Sequence, residues 1–365
     1  MKLLALLRDG PFLGCSILWV EDARVRRLDG VGTAQMNQDA IKVLITGGGG
    51  FLGTRLARAL LHRGHVSSRP LRELVLADLV PPSPDLARDA RVRAATGPLM
   101  GQLDALRKED FDLVFHLASA VSAECEADFD LGLRANLDTT RALLDALRDA
   151  GKPRLVFSSS MAVFGGDDDL PMPRVIHDET LPVPQTSYGI QKFICEQLLA
   201  DYSRRGFIDG RSARLVTVTV RPGKPNAAAS GFLSSIVREP LNGQPAVCPV
   251  PLGMMVAVTS PQRTIDGLIT VAEAAPDVWG GRTALNMPAL TVQVSEILDA
   301  LEAVGGHAAR EKVELRPDAI IARIMGGWPA VFESARARRL GLSADSDFLS
   351  IIRQFQKDQA ALSVS

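Results

Sequence analysis

A glycine-rich turn between a short apolar run and a helical segment constrains the fold of this chain more than any other feature. The turn, Thr46-Gly47-Gly48-Gly49-Gly50-Phe51-Leu52-Gly53, follows the apolar run Ile41–Thr46 and precedes residues 54–63, where apolar positions repeat at helical spacing. Glycines there allow a tight turn, and the helix start that follows presents free N–H groups to a phosphate. In this context the pattern T-G-x-x-G-x-x-G predicts a dinucleotide-binding strand, turn and helix.

The rest of the first half of the chain continues the same alternation. Short β-branched or Leu-rich runs alternate with longer segments of helical periodicity, which is typical of βαβ units with buried parallel strands. We expect strands at residues 41–46, 73–78, 113–118, 154–159 and 215–220, and helices at residues 54–63, 131–149 and 188–204. Right-handed crossovers then give an α/β fold with a doubly wound parallel Rossmann sheet.

The pattern changes after Pro222. Sequence rich in Gly, Pro and Ala follows, and helical periodicity returns at residues 292–304, 318–325 and 347–356. We therefore predict a Rossmann domain over residues 41–222 and a smaller, mainly helical substrate lobe over residues 223–365. Part of the segment 255–290 is expected to return to the Rossmann domain.

Composition excludes several classes of protein. The 365 residues are 46% hydrophobic and 23% charged, with a net charge of −1, which is typical of a globular protein and disfavours a nucleic-acid binder that relies on bulk charge. No stretch approaches the length of an apolar membrane-spanning helix. The four cysteines are widely separated, so the sequence indicates neither a zinc site nor a disulfide framework, and we expect free thiols in a cytoplasmic protein.

The first forty residues stand apart from this pattern. They begin with a short apolar run, but Arg8-Asp9-Gly10-Pro11 ends it too early for a signal peptide. We expect residues 1–40 to form a loosely packed extension and the functional unit to start near Met36.

A carboxylate follows the second predicted strand. Asp78 ends the run Val75-Leu76-Ala77-Asp78, about where an acid would bind the ribose hydroxyls of a dinucleotide. Its charge would repel a 2′-phosphate. The position of Asp78 therefore favours NAD over NADP.

A phenol, an ammonium and a hydroxyl form the candidate catalytic set. Tyr188 and Lys192 are four residues apart, so on a helix they lie on one face. A nearby ammonium and a cationic nicotinamide favour the phenolate, which predicts that Tyr188 acts as a general base near neutral pH. Ser160 ends the strand around residues 154–159, where ligands bind in open α/β sheets, and is expected to hydrogen-bond the reacting oxygen.

As a set, these motifs resemble the extended short-chain dehydrogenase/reductase superfamily, which includes nucleotide-sugar epimerases and dehydratases. The resemblance runs from about Ile41 to the C-terminus and also includes His116-Leu117-Ala118-Ser119, Asn136 and Arg221-Pro222. It implies that Asn136 supports the active-site helix, that Leu99 contacts adenine and that Lys192 binds ribose. The cofactor-binding set implied is Gly47, Gly50, Phe51, Leu52, Gly53, Asp78, Leu99, Ala118, Ser119, Asn136, Tyr188, Lys192 and Pro222.

Departures from the superfamily's usual pattern narrow the expected reaction. Met161-Ala162 follow Ser160 where dehydratases carry an Asp-Glu pair, so dehydration is disfavoured. Lys224 stands where sugar-nucleotide enzymes usually place Asn, and a cation suits a carboxylate. The implied substrate-binding set is Ser160, Tyr188, Lys224, Asn226 and Arg263.

Further stretches, among them residues 185–189, 201–207 and 328–337, resemble a subgroup that oxidises a four-carbon sugar acid at carbon 2. We therefore expect an NAD-dependent dehydrogenase that converts a short sugar acid to the 2-keto acid. The alternatives are a nucleotide-sugar epimerase with tightly held NAD and, from another class, a non-catalytic NAD-binding sensor. The resemblance also implies a homodimer, in which helices 131–149 and 188–204 pair across a twofold axis.

Overall fold

The alternating pattern forms a mostly parallel sheet covered by helices on both faces. The computed structural model describes residues 40–223 and 228–364, so the predicted extension lies outside the described residues except for Ala40. Strands are numbered in chain order as β1 (Ile41–Thr46), β2 (His65–Val66), β3 (Arg69–Asp78), β4 (Val92–Thr96), β5 (Leu113–His116), β6 (Arg154–Ser160), β7 (Asp209–Leu215), β8 (Thr217–Val218), β9 (Ala246–Cys248), β10 (Met255–Thr259), β11 (Leu285–Asn286), β12 (Leu290–Gln293) and β13 (Val313–Leu315).

Helices connect and cover these strands. They are α1 (Phe51–Arg63), α2 (Pro84–Ala87), α3 (Leu99–Leu106), α4 (Ser122–Ala127), α5 (Phe129–Gly132), α6 (Thr139–Arg148), α7 (Ser187–Arg204), α8 (Phe232–Leu241), α9 (Pro261–Glu273), α10 (Pro276–Trp279), α11 (Val294–Gly305), α12 (His307–Arg310), α13 (Ala319–Gly326), α14 (Ala335–Arg339) and α15 (Phe348–Val364). A π-helical segment, Leu133–Asp138, joins α5 to α6, and short 3₁₀ turns span Met161–Val163 and Ala229–Gly231.

The main sheet has the strand order β4-β3-β1-β5-β6-β7-β11, all parallel, with β2 antiparallel on β3. β1 is central: Leu44 pairs with Val75 on one side and Val114 on the other, and it is fully buried. Because the strand order reverses between β1 and β5, a crevice opens at the carboxyl ends of these strands. The predicted doubly wound Rossmann sheet is confirmed.

Two apolar layers cover the sheet. On one face, Leu56 and Leu60 of α1 share a buried cluster with Leu268 of α9. On the other face, Leu143 of α6 shares a cluster with Leu199 of α7. These side chains are at most 1% exposed, so helix packing on both faces fixes the sheet between them.

The C-terminal region is mainly helical and has its own core, in which residues of α8, α11 and α15 pack together. β10 pairs with β12 and β8 in a small sheet, and β13 pairs with β9. The chain also returns to the main sheet, because β11 extends it beside β7. The domain boundaries at residue 222 and within 255–290 stay predictions.

The strand predicted at residues 215–220 is wrong in its position along the chain. The last long strand of the main sheet is β7, Asp209–Leu215, and only Thr217–Val218 of the predicted segment is a strand, paired with β10 in the small sheet. The segment Asp209–Leu215 is too polar to suggest a buried strand, yet Arg211 is fully buried there. Its guanidinium bonds the carboxylate of Asp209 and two carbonyl oxygens near the end of α9, which satisfies the charge.

The helix predicted at residues 131–149 is present but not uniform, because the π-helical segment Leu133–Asp138 interrupts it. Other predicted elements shift by a few residues at their ends; α1, for example, begins at Phe51, inside the glycine motif. No helix in the described part of the chain is long and apolar enough to cross a membrane.

Candidate functional site

A cavity of about 830 Å³ lies at the carboxyl ends of β1, β3, β5 and β6. This is the edge where open α/β sheets bind ligands. The structure brings most of the sequence-predicted site residues to its wall: Gly47, Gly50, Phe51, Leu52, Gly53, Asp78, Leu99, Ala118, Ser119, Ser160, Tyr188 and Lys192.

The glycine turn is packed so tightly that side chains do not fit. Gly47 has a φ of +74°, and a β-carbon there would lie 2.7 Å from the backbone nitrogen of Ala118. At Gly53 a β-carbon would lie 2.0 Å from the carbonyl oxygen of Gly47. Gly50 precedes α1 without a side-chain cap, so the first N–H groups of the helix face the cavity mouth without a side-chain partner.

Asp78 ties the second long strand to this turn. Its carboxylate accepts hydrogen bonds from the N–H of Gly49, at 2.9 Å, and from the N–H of Val80, at 3.2 Å. The carboxylate thus sits beside the turn with further acceptor capacity on each oxygen. The arrangement fits an acid that binds ribose hydroxyls next to a pyrophosphate cradle.

Helix α7 begins where it can present Tyr188 to the cavity. The side chain of Thr186 caps the helix by accepting from the N–H of Gly189, at 3.1 Å. Gly189 packs against the backbone carbonyl of Ala162, which brings the first turn of α7 beside the segment after β6. Ser160 ends that strand, and its Oγ accepts from the N–H of Ala162 at 3.1 Å. That N–H occupies an acceptor site on Oγ, so the Ser160 hydroxyl can donate its proton to a partner in the cavity, such as the phenol oxygen of Tyr188.

Lys192 lies one turn beyond Tyr188 and is 2% exposed. Its Nζ donates to the carbonyl oxygen of Ser158 at 2.8 Å and lies 5.6 Å from the centre of the Tyr188 ring. Burial lowers the pKa of Lys192 to about 8, although Glu196 and two cysteines nearby act to raise it. Two of the three ammonium protons remain for a ligand.

The pKa of the Tyr188 phenol is higher than expected for a base that is ionised near neutral pH. Burial raises the pKa of Tyr188 to about 12, even though hydrogen bonds with the hydroxyls of Ser160 and Ser119 and the charge of Arg221 act to lower it. In the chain by itself, removal of water from around the phenolate therefore outweighs these contacts. The guanidinium of Arg221 is therefore a second cation near the phenol, besides the ammonium of Lys192.

Asn136 lies in the π-helical segment, behind Ser119. Its Oδ1 accepts from the Ser119 hydroxyl at 2.9 Å and from the N–H of Ala120 at 2.8 Å, and its Nδ2 donates to Oε1 of Gln191 at 2.8 Å. Asn136 is 2% exposed, and its described contacts are those of a residue that positions Ser119. Its membership of the cofactor-binding set stays a prediction.

The remaining predicted substrate-binding residues, and Pro222, are not among the described residues that line the cavity. Lys224 and Asn226 lie outside the described residues. Pro222 is partly buried beside Arg221 but does not line the cavity as described. Arg263 is exposed on α9 and lines a separate, much smaller cavity. Its role in binding the substrate stays a prediction.

Among the wall residues that the predicted site set did not include, two carry side chains of particular chemical interest. Arg221 and Trp328 both line the cavity. Arg221 belongs to the Arg-Pro motif noted in the sequence, and a cation just after the last buried strand is a signal that could have identified it. Trp328 comes from the turn after α13, and nothing in its local sequence indicates that it reaches this wall.

The residues present fit a dinucleotide. The uncapped start of α1 offers N–H groups to a pyrophosphate, the glycines allow the tight turn that precedes this helix, and Asp78 has acceptor capacity for ribose hydroxyls. Lys192 and Tyr188 line the same cavity. The sheet, the glycine turn and the Ser-Tyr-Lys set together define an NAD-dependent oxidoreductase of the short-chain dehydrogenase type, which acts on a CH–OH group.

The chain belongs to the NAD dependent epimerase/dehydratase family, whose sequence profile matches residues 43–255. A Cupriavidus necator protein named D-erythronate dehydrogenase is 46% identical over 325 residues, which are 87% of this chain and 98% of that protein. A protein of the same name from Haemophilus influenzae is 41% identical over 319 residues, 86% of this chain and 98% of that protein. These matches confirm the predicted resemblance.

A solved structure has the same fold. The nucleoside-diphosphate-sugar epimerase from Agrobacterium tumefaciens superposes with a TM-score of 0.82 at 43% sequence identity, covering 88% of this chain and 95% of that chain. The similarity extends beyond the Rossmann sheet into the C-terminal region.

Proposed function

We propose that this chain oxidises D-erythronate, or a closely similar short sugar acid, at the carbon 2 hydroxyl to give the 2-keto acid. The observation that carries the proposal is the similarity to two proteins named D-erythronate dehydrogenase, which this chain matches over 98% of their length. The presence of Ser160, Tyr188 and Lys192 around one cavity supports it, because alcohol oxidation needs a base for the hydroxyl proton.

In the proposed reaction, Tyr188 and Ser160 handle the hydroxyl. The Ser160 hydroxyl donates to the substrate oxygen, and the Oη of ionised Tyr188 removes its proton. Bound NAD supplies the acceptor for the hydride that leaves carbon 2, so the C–H and O–H bonds break and a C=O bond forms. Lys192 would hold the nicotinamide ribose with the protons not given to Ser158. Lys224 and Asn226 are predicted from the sequence to contact the substrate acid as well.

The proposal is tested with D-erythronate labelled with deuterium at carbon 2. The full chain is mixed with NAD, and NADH is followed by its absorbance. Oxidation at carbon 2 places the label in the reduced nicotinamide, which mass spectrometry detects. Label that stays in the acid product would contradict carbon 2 chemistry, while no NADH from four- and five-carbon sugar acids would contradict the dehydrogenase proposal.

The alternative is a nucleotide-sugar epimerase that keeps its NAD. The fold similarity to a protein described as a nucleoside-diphosphate-sugar epimerase is the observation that favours this alternative. Such an enzyme would interconvert nucleotide sugars without net NADH, whereas a dehydrogenase releases one NADH for each acid oxidised. NADH formation from D-erythronate and product analysis after incubation with a nucleotide sugar distinguish the two.

A homodimer is part of the proposal. Four apolar side chains on α5 and α7 are exposed: Phe129 by 60%, Leu131 by 37%, Ile190 by 45% and Ile194 by 38%. Ile190 and Ile194 are one helical turn apart and therefore share a face. A second copy that paired α7 with α7 across a twofold axis would cover this face.

A further inference from the structure

Arg221 places a cation in the same cavity as the Ser-Tyr-Lys set. It follows β8, lines the cavity together with Ser160 and Tyr188, and is partly buried. The hydroxyl and the phenol that act on the substrate oxygen therefore share a wall with a guanidinium.

The backbone of Arg221 is held on both sides. Its N–H donates to Oγ of Ser234 at 3.1 Å, and its carbonyl oxygen accepts from Nη1 of Arg238 at 2.6 Å. The side chain is held as well, because Nε of its guanidinium donates to the carbonyl oxygen of Val218 at 3.0 Å. The guanidinium thus has a set position, and its two Nη groups are left for another partner.

Within the described residues, the fully buried arginines each bond a carboxylate, and the partly buried Arg221 does not. Arg211 bonds Asp209, Arg214 bonds Glu196, and Arg238 bonds Glu239. Among residues 40–223 and 228–364, the Nη groups of Arg221 have neither a carboxylate nor a hydrogen-bond acceptor within contact distance.

An unmatched cation in a cavity is costly unless a ligand brings the opposite charge. Burial lowers the pKa of Arg221, and the group that acts to raise it is Tyr188. A guanidinium offers two parallel N–H donors that fit the two oxygens of a carboxylate. The cavity therefore has a donor set suited to a small carboxylate beside the phenol.

We propose that Arg221 forms a carboxylate-binding subsite that selects 2-hydroxy acids over neutral sugars. The identity of the acid rests on the proposed function above, but the subsite itself rests on the position and the missing partner of Arg221. If Arg221 holds the carboxylate at carbon 1, the hydroxyl presented to Tyr188 is the one on the adjacent carbon. The subsite thus gives a physical reason for oxidation at carbon 2.

The test uses oxamate, a small carboxylate that has no oxidisable hydroxyl. Binding of oxamate to the full chain with NADH is measured by calorimetry for the wild type, Arg221→Gln, Arg221→Lys and Arg282→Gln. Arg282 is exposed and outside the cavity, so its variant removes the same charge without touching the site. NADH affinity and the melting temperature of each variant show whether the fold and the cofactor site are retained.

We expect Arg221→Gln to weaken oxamate binding by about tenfold or more, since a charged bidentate contact is lost. Arg221→Lys should keep part of the affinity, and Arg282→Gln should match the wild type. In parallel, Arg221→Gln should raise the KM for D-erythronate at least as strongly, with a smaller effect on kcat.

Equal oxamate affinity in the wild type and Arg221→Gln, or no oxamate binding by the wild type, would overturn the subsite. Binding that depends on Arg221 without NADH formation from any sugar acid would instead refute the proposed function and leave the subsite standing. The two proposals therefore fail in different assays.

Discussion

The α-carbon of Gly189 faces the backbone carbonyl of Ala162 so closely that a β-carbon there would lie 2.1 Å from the carbonyl oxygen. Two backbones therefore meet directly at this point, and neither atom belongs to a flexible side chain. The contact brings the first turn of α7, which carries Tyr188, beside the segment that follows Ser160. The relative positions of the phenol and the hydroxyl depend on it.

Gly189→Ala is expected to push α7 away from this segment. Because Tyr188 and Ser160 would separate, kcat should fall by about a hundredfold, which corresponds to about 2.7 kcal/mol of lost transition-state stabilisation. NAD binding at the glycine turn should change much less. The measurement is steady-state NADH formation alongside NAD titration.

Gly101→Ala is the matched control for this substitution. Gly101 lies in α3, is exposed, and a β-carbon there would meet nothing within 4 Å. Alanine favours a helix over glycine by about 1 kcal/mol, so this variant should be as active as the wild type and slightly more stable. Equal activity of both alanine variants would show that the close approach at Gly189 has no catalytic consequence.

Tyr188→Phe is expected to abolish oxidation and retain NAD affinity, because the ring stays and only the base is lost. The chain has two tyrosines, and Tyr202 also has a pKa raised to about 12, by burial and by its hydrogen bond to Asp145. Without NAD, an ultraviolet titration should therefore show almost no phenolate below about pH 11.

Addition of NAD should move one of these two titrations to lower pH, since a cationic nicotinamide favours the phenolate. The moved titration should be missing in Tyr188→Phe and present in Tyr202→Phe. If the oxidation rate of the wild type did not rise as pH increased above neutrality, the role of Tyr188 as base would be wrong.

Asp78→Ala is expected to reduce the preference for NAD over NADP. The carboxylate accepts from the N–H groups of Gly49 and Val80, so its loss also loosens the glycine turn and should weaken both cofactors to some degree. The charge that repels a 2′-phosphate is removed as well, so NAD affinity should fall by about tenfold more than NADP affinity. Parallel titrations with both cofactors measure the ratio, and an equal loss would contradict the assignment.

Local sequence was enough to predict the parts of the fold that local patterns determine. The run Ile41–Thr46 forms β1 as predicted, and the glycine turn lies at the carboxyl end of that strand. β7 was missed because the burial of Arg211 depends on Asp209 and on the carbonyl oxygens of Val271 and Ala274. These two carbonyl oxygens lie 60 and 63 residues further along the chain. Contacts of that range leave no periodic signal.

The candidate site shows the same division. The spacing of Tyr188 and Lys192 correctly places both at one cavity, since a helix repeats within four residues. Electrostatics at Tyr188 could not be read from that spacing, because burial and Arg221 act on the phenol through the tertiary structure. The sequence shows Arg221 as a cation just after a buried strand, but it does not show that the chain after β8 leads this side chain to the cavity.

Stability should fall below about pH 6.5 because of a buried imidazole. His116 is 1% exposed, contacts the hydroxyls of Thr46 and Thr140 through its two ring nitrogens, and has its pKa lowered to about 3, mainly by burial. The unfolded chain binds a proton near pH 6.5, while the folded chain does not until about pH 3. Stability from this group is therefore present above pH 6.5 and is lost as pH falls through that window, by up to about 1.4 kcal/mol for each pH unit.

Urea unfolding at several pH values measures this dependence. His116→Gln should be less stable at neutral pH, but its free energy of unfolding should fall less steeply between pH 6 and pH 4. His62→Gln, which changes an exposed imidazole, should follow the wild-type slope. Parallel slopes for the wild type and His116→Gln would show that His116 is not the titrating group.

The proposed dimer predicts that one exposed isoleucine behaves differently from other exposed aliphatic residues. Ile190→Asp puts a charge on the apolar face of α7. Because of the twofold axis, dimer formation would have to remove water from two such charges, one from each copy. The variant should be monomeric by light scattering at micromolar concentration, where the wild type is expected to be a dimer. Val278→Asp is the matched control, because Val278 is 46% exposed and lies in α10, whose Trp279 packs in the core cluster on the other face of the sheet from α7. A monomeric wild type, or a dimer that survives Ile190→Asp, would show that α7 does not form the interface. The exposed apolar side chains of α5 and α7 would then need another explanation.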